Sequence, residues 1–230
     1  MTVEEFSNGS YPTKSSAPSW SISWIYPPKA ATAPVHGFPN IKYSEEGTFP
    51  VRVSDVSAVN IDTEWMYFVG NSTNPPAVLD TSLFSSSQTS INTNVAIDMF
   101  LDANPDNAQD TTKAKYEIMI WLATFGASTQ PIGLQQGPRD SVVLADGTTF
   151  NMYYGTNDVT GQVVMTWSAG TPITNFNADI SPILKRDVSA LGGPSPSHYL
   201  GYAAMGSEVL DATVNVTLSV PTFMMNITKS

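Results

Sequence analysis

Tyr116-Glu117-Ile118-Met119-Ile120-Trp121-Leu122 reads as a buried β-strand with one carboxylate set into it. Side chains alternate along a strand, so Tyr116, Ile118, Ile120 and Leu122 share one face. Glu117, Met119 and Trp121 share the other. The first set is a core face. The second combines an acid, a thioether and an indole. An ionised carboxylate among large apolar groups needs a partner or a task. A Glu beside an aromatic platform on a rigid strand suits a carbohydrate cleft. A Glu at a solvated sheet edge is the plainer reading.

Strand-like runs recur on both sides of this stretch, separated by turn signals. Ser19 to Tyr26 alternates with Trp20, Ile22, Trp24 and Tyr26 on one face. Asn60 to Val69 carries Ile61, Trp65, Tyr67 and Val69. Thr93 to Leu101 places Val95, Ile97, Met99 and Leu101 on one face, and Ala96, Asp98 and Phe100 on the other. Further runs are Ser141 to Leu144, Thr148 to Tyr154, Gln162 to Ser168, His198 to Met205 and Ala212 to Val220. Asp146-Gly147 between two of them is a hairpin signal. Asn177 to Leu191 differs. Ile180, Ile183, Leu184, Val188 and Leu191 have helical spacing, with Asp179 or Ser181 as cap and Pro182 in the first turn. Many strands and one short helix predict an all-β, two-sheet jelly-roll sandwich. Residues 1 to 18 are polar and punctuated by Pro and Ser, and read as a loose arm. Residues 19 to 230 read as one domain.

The 230 residues are ample for a sizeable core. Only 13% are charged, and the net charge is −10. This disfavours nucleic acid or an anionic membrane as partner and favours an uncharged ligand. There is no cysteine, which excludes disulfides, thiolate metal sites and Cys catalysis. With only His36 and His198, no metal or other cofactor is expected. No apolar run reaches membrane-spanning length. The start, Met1-Thr2-Val3-Glu4-Glu5-Phe6, lacks the basic and apolar regions of a secretory signal. The sequons at Asn8, Asn71, Asn215 and Asn226 carry little weight in a chain rich in Ser and Thr.

Two more acids stand out. Asp98 lies inside an apolar strand, and Glu208 follows a strand-like run in Gly206-Ser207-Glu208-Val209. Glu208 alone reads more readily as a turn residue. Yet two carboxylates on facing strands are the minimum apparatus of glycoside hydrolysis, one as nucleophile or base and the other as acid. Mutual repulsion and partial burial raise the proton affinity of one of them. Sugar faces call for aromatic rings. The candidates are Trp20, Trp24, Trp65, Trp121 and Trp167, of which several belong to the core.

The Tyr116 to Leu122 run resembles the nucleophile strand of glycoside hydrolase family 12, the fungal and bacterial β-1,4-endoglucanases and xyloglucanases. Other pieces follow in family order. Val95-Ala96-Ile97-Asp98-Met99-Phe100-Leu101 resembles the strand whose Asp hydrogen-bonds the nucleophile. Gln130-Pro131-Ile132-Gly133 resembles the Pro-Ile-Gly turn, and Phe150-Asn151-Met152-Tyr153-Tyr154-Gly155 the Tyr-Tyr-Gly strand. Pro172 to Ile180 resembles the entry to the single helix. His198-Tyr199-Leu200 and Gly206-Ser207-Glu208 resemble the segments that carry the acid/base. The resemblance implies a concanavalin A-like jelly roll, with Glu117 as nucleophile, Glu208 as general acid/base and Asp98 tuning Glu117. It implies a retaining reaction, with the carboxyls about 5 to 5.5 Å apart. The expected substrate-binding set is Trp20, Trp24, Met119, Trp121 and Tyr153, and the expected ligand a β-glucan oligosaccharide bound by a monomer.

The chain also departs from the family. Residues 1 to 18 do not match its opening Asn-Asn-x-Trp-Gly strand, its Cys pair is absent, and Val209-Leu210-Asp211-Ala212 follows Glu208. Family members are secreted. The absence of a signal places this chain inside the cell if Met1 is its native start. Three functions follow: a retaining glucanase or xyloglucanase with a trimmed cleft; the same scaffold repurposed for proton transfer or cyclisation of a small hydrophobic molecule; and a non-catalytic glycan-binding module.

Overall fold

A computed structural model describes residues 2–5, 16–17, 19–27, 35–71, 75–84 and 90–230. Its strands are β1 (Thr2–Glu5), β2 (Ser16–Ala17), β3 (Trp20–Trp24), β4 (Asn40–Lys42), β5 (Val51–Arg52), β6 (Val56–Val69), β7 (Ile91–Asp102), β8 (Tyr116–Phe125), β9 (Asp140–Val143), β10 (Thr149–Thr156), β11 (Val163–Ala169), β12 (Asn175–Asp179), β13 (Tyr199–Gly206), β14 (Val209–Ala212) and β15 (Val216–Lys229). They form two sheets. The six-stranded sheet has the order β1-β3-β15-β6-β12, with β2 beside β15. The nine-stranded sheet has the order β4-β13-β7-β8-β11-β10-β9, with β14 beside β7 and β5 beside β13. This is the all-β sandwich that the alternating runs predict.

The core lies between the sheets, and period-two alternation builds it. On β6, Val59, Ile61, Trp65 and Tyr67 point inward. On β8 the inward face is Tyr116, Ile118, Ile120 and Leu122, as its spacing requires. Ile97, Met99 and Leu101 of β7, and Phe150 and Met152 of β10, pack into the same cluster. The Asp146-Gly147 turn joins β9 to β10 antiparallel, with Val143 opposite Thr149 and Gly147 at φ +87°. Positive φ suits glycine there.

Three expectations change. The helix expected over Asn177 to Leu191 is a single turn, α2 (Ser181–Leu184). Before it, Asn175–Asp179 is an edge strand on β6. The Asp179 carboxylate accepts the N–H groups of Val59 and Ser181, which ties the chain to the sheet until the turn begins. Ile180, Ile183, Leu184 and Val188 are all buried, so their spacing reports a shared core face rather than a long helix. A second single turn, α1 (Pro105–Ala108), is capped by Asn104. At the carboxyl end β15 runs past Pro221 to Lys229, because the proline sits where the register with β6 shifts between Ser219 and Thr222. A ladder tolerates proline at such an irregularity. In the polar arm, Thr2–Glu5 pairs with β3 and Ser16–Ala17 with β15. The rest of the arm, with the sequon at Asn8, lies outside the described residues.

Candidate active site

The candidate residues collect on the outward face of the nine-stranded sheet. On β8, Glu117, Met119 and Trp121 point away from the core. Antiparallel pairing sets Phe100 of β7 opposite Glu117, and Asp98 opposite Met119. Asp98 also faces Ala204 of β13. Beyond β13 the chain turns, and Glu208 lies between its last residue and β14. Ala96, Ala204 and Gly206 on this face keep the surface low beside the acids.

Met119 and Trp121 form a small apolar cluster with Ala96 and Val164, against which Ile132 packs. It lies apart from the main core, and Met119 and Trp121 are only 4% and 3% exposed. They are therefore a floor beneath the acids rather than an open platform. Tyr153 of β10 is half-buried on a strand whose Phe150 and Met152 enter the core, so alternation turns it outward. Trp20 and Trp24 correct the expectation that they line the cleft. Both belong to β3 in the other sheet and are buried between the sheets. Trp24 Nε1 donates to Tyr67 Oη at 3.0 Å. Shared alternation had placed these rings on one face, but that face is the core's.

The electrostatics follow from the burial of three like charges. Asp98 is 4% exposed, and its Oδ1 has no hydrogen-bond partner among the described residues. Burial, then the charges of Glu117 and Glu208, hold its carboxyl well above the usual carboxylate range. Burial, then repulsion by Glu208, pushes Glu117 up to about 7. Burial pushes Glu208 up to about 6, against a hydrogen bond from Asn94 that favours its charged form. Glu117 and Glu208 therefore titrate as a pair near neutral pH.

Asn94 is the functional residue that sequence reasoning missed. Its Oδ1 accepts the Glu208 N–H at 2.8 Å, and its Nδ2 donates to Glu208 Oε2. One side chain thus fixes both the backbone and one carboxylate oxygen of Glu208. The signal was available: on β7, Asn94 is two residues before Ala96 and four before Asp98, hence on the same outward face. A fully buried Asn at that register needs partners. Among the described residues no group of His, Asp and Glu is arranged to hold a metal ion.

Residues 77–228 match the model for glycosyl hydrolase family 12. Endoglucanase A of Aspergillus kawachii is 30% identical over 198 residues, covering 84% of this chain and 69% of that protein. The xyloglucan-specific endo-β-1,4-glucanase A of Emericella nidulans is 26% identical over 209 residues, covering 91% of this chain and 73% of that one. Among solved structures, endoglucanase 3 of Trichoderma harzianum superposes with a TM-score of 0.73 at 22% identity, over 98% of this chain and 83% of that one. The family match over most of the chain and the 30% identity to an endoglucanase make this chain a member of glycosyl hydrolase family 12.

Proposed function

We propose that the protein is a retaining endo-β-1,4-glucanase or xyloglucanase. The observation that carries this reading is the set of Asp98, Glu117 and Glu208 on one sheet face, with coupled, raised proton affinities. In the first step the Glu117 carboxylate attacks the anomeric carbon. The bond to the leaving oxygen breaks as Glu208 gives that oxygen its proton. In the second step Glu208, now ionised, takes a proton from water. The water oxygen attacks the same carbon and releases Glu117. The first step needs one proton shared by the Glu117 and Glu208 pair. That is the state the pair holds between its two titrations. Burial and the two glutamates favour the uncharged form of Asp98, which adds no charge beside Glu117.

The sugar would lie over the Met119 and Trp121 floor, with Tyr153 toward one end. The named relatives are an endoglucanase and a xyloglucan-specific glucanase, which supports a β-1,4-glucan backbone as substrate. Neither supports the small hydrophobic substrate of the repurposed-scaffold reading. The test is reducing-end release from soluble xyloglucan and mixed-linkage β-glucan. Activity on at least one is expected, with loss of roughly 10³-fold or more in Glu117→Gln, in line with removal of a covalent nucleophile. A purified protein that leaves every β-1,4-linked glucan intact would overturn the proposal.

A further inference from the structure

Behind Glu208 a chain of polar side chains crosses the apolar core from one sheet to the other. Trp24 on β3 and Tyr67 on β6 belong to the six-stranded sheet. Thr93 on β7, and Ser207 just beyond β13, belong to the opposite side. Trp24 Nε1 donates to Tyr67 Oη at 3.0 Å. Tyr67 Oη lies 2.9 Å from Ser207 Oγ and 3.5 Å from Thr93 Oγ1. The Thr93 and Ser207 hydroxyls are 2.7 Å apart. Thr93 Oγ1 donates to the Glu208 carbonyl at 2.6 Å, and Ser207 Oγ to the Asn94 carbonyl at 2.5 Å. None of the four side chains is more than 1% exposed.

The protons balance. With Thr93 donating to Glu208 and Ser207 to Asn94, the Tyr67 proton goes to Ser207 and the Trp24 proton to the Tyr67 oxygen. Every donor then has an acceptor, and the Thr93 and Ser207 oxygens touch with no proton between them. Packing alone does not account for Tyr67. Its ring meets Phe84 and Phe125 edge-on, contacts that phenylalanine would also make. A buried hydroxyl carries a desolvation cost that only its hydrogen bonds offset. The path from Tyr67 runs through Ser207 to the backbone of Asn94, the asparagine that clamps the acid/base candidate, and Thr93 alongside it holds that acid's own carbonyl.

We propose that Tyr67 is a positioning residue for proton transfer. Its hydroxyl fixes Ser207, whose own hydroxyl holds the Asn94 carbonyl while Thr93 holds the Glu208 carbonyl, and so it keeps Asn94 and the Glu208 carboxyl that Asn94 clamps aimed at the leaving oxygen. It acts from the opposite sheet and does not touch substrate. The proposal rests on Glu208 being the general acid/base.

The test uses the full chain and two aryl β-cellobiosides, one with a 2,4-dinitrophenolate leaving group and one with phenolate. The first leaves without a proton, whereas the second needs one. For Tyr67→Phe, kcat/KM on the phenyl substrate is expected to fall roughly tenfold, with KM within about twofold. On the dinitrophenyl substrate kcat/KM is expected to stay within about twofold of the parent. Thr93→Val should show the same split, and Thr93→Ser should restore parent values, which also covers a Tyr67→Phe chain that fails to fold. Equal losses on both substrates, or no loss on either, would overturn the positioning role. Glu208→Gln separates this failure from that of the underlying reading. If it spares the phenyl substrate, the acid/base assignment falls. If it shows the leaving-group split while the Tyr67 and Thr93 variants do not, only the positioning role falls.

Discussion

Glu117 is where stability and function conflict. Burial and the Glu208 charge lift its carboxyl from an ordinary 4.5 to about 7. The folded state then binds this proton more tightly than the unfolded chain does. Stability is therefore lost as pH rises from near 4.5 to near 7, and the full penalty holds above that. The ceiling is about 3 kcal/mol, and some solvent contact at the cleft reduces it. Glu117→Gln, which carries no charge at any pH, should gain up to that amount near pH 8 and almost nothing near pH 4. Denaturant titrations at the two pH values check this. A gain of equal size at both would show that the cause is not ionisation. Catalysis titrates through the same groups. The singly protonated Glu117 and Glu208 pair is most populated between about 6 and about 7. A bell-shaped kcat/KM profile centred in that interval is expected on a neutral glucan, and a profile flat from pH 4 to 9 would contradict the coupling.

At the scale of elements, two motifs far apart in sequence prove to be one construction. The Pro131-Ile132-Gly133 turn lies against the Tyr153-Tyr154-Gly155 segment of β10. Gly133 has φ +89°, and a Cβ there would come within 2.1 Å of the Tyr154 carbonyl oxygen. At Gly155 a Cβ would meet Ile132 Cγ2 at 2.5 Å. Ile132 in turn packs on the Met119 and Trp121 floor. Gly133→Ala is therefore expected to cost about 2 kcal/mol or more, from the left-handed backbone and the clash together. It should also raise KM by shifting Tyr153. Thermal unfolding and glucan kinetics test this, and an unchanged midpoint would refute the close approach. The long strands were legible because their period of two persists over many residues, as in β7 and β8. The Asn177 to Leu191 segment was not, because apolar residues at helical spacing also arise when an edge strand, a single turn and a loop bury the same face. Glu117, Asp98 and Glu208 were legible as acids in apolar or small surroundings. Asn94 carried a weaker signal, its place on the same face as Asp98, and its role shows only once Glu208 folds against it.

For the whole molecule, alternation says which side chains share a face, but not which of a sandwich's two inner faces or two outer faces they occupy. That is why alternation alone did not separate Met119 and Trp121, which point away from the core, from Trp20 and Trp24, which point into it. The assignment needs the pairing of distant strands, such as β3 with β15 and β7 with β8. Charge, in contrast, is a property of the whole chain that the sequence states outright. Ten Lys and Arg stand against 20 Asp and Glu, for a net charge of −10. The singly protonated Glu117 and Glu208 pair adds a negative charge at the cleft itself. A neutral glucan meets no repulsion there, but a carboxymethylated one does. The Debye length shrinks from about 30 Å at 0.01 M salt to about 8 Å at 0.15 M. Over that range the rate on carboxymethylcellulose, relative to an uncharged β-glucan of similar length, should rise severalfold. The rate on the uncharged glucan should stay nearly constant. Parallel assays across the salt series measure the ratio. A ratio independent of salt would mean that the acidic surface does not reach the substrate, and that the preference for uncharged chains has to come from contacts within the cleft instead.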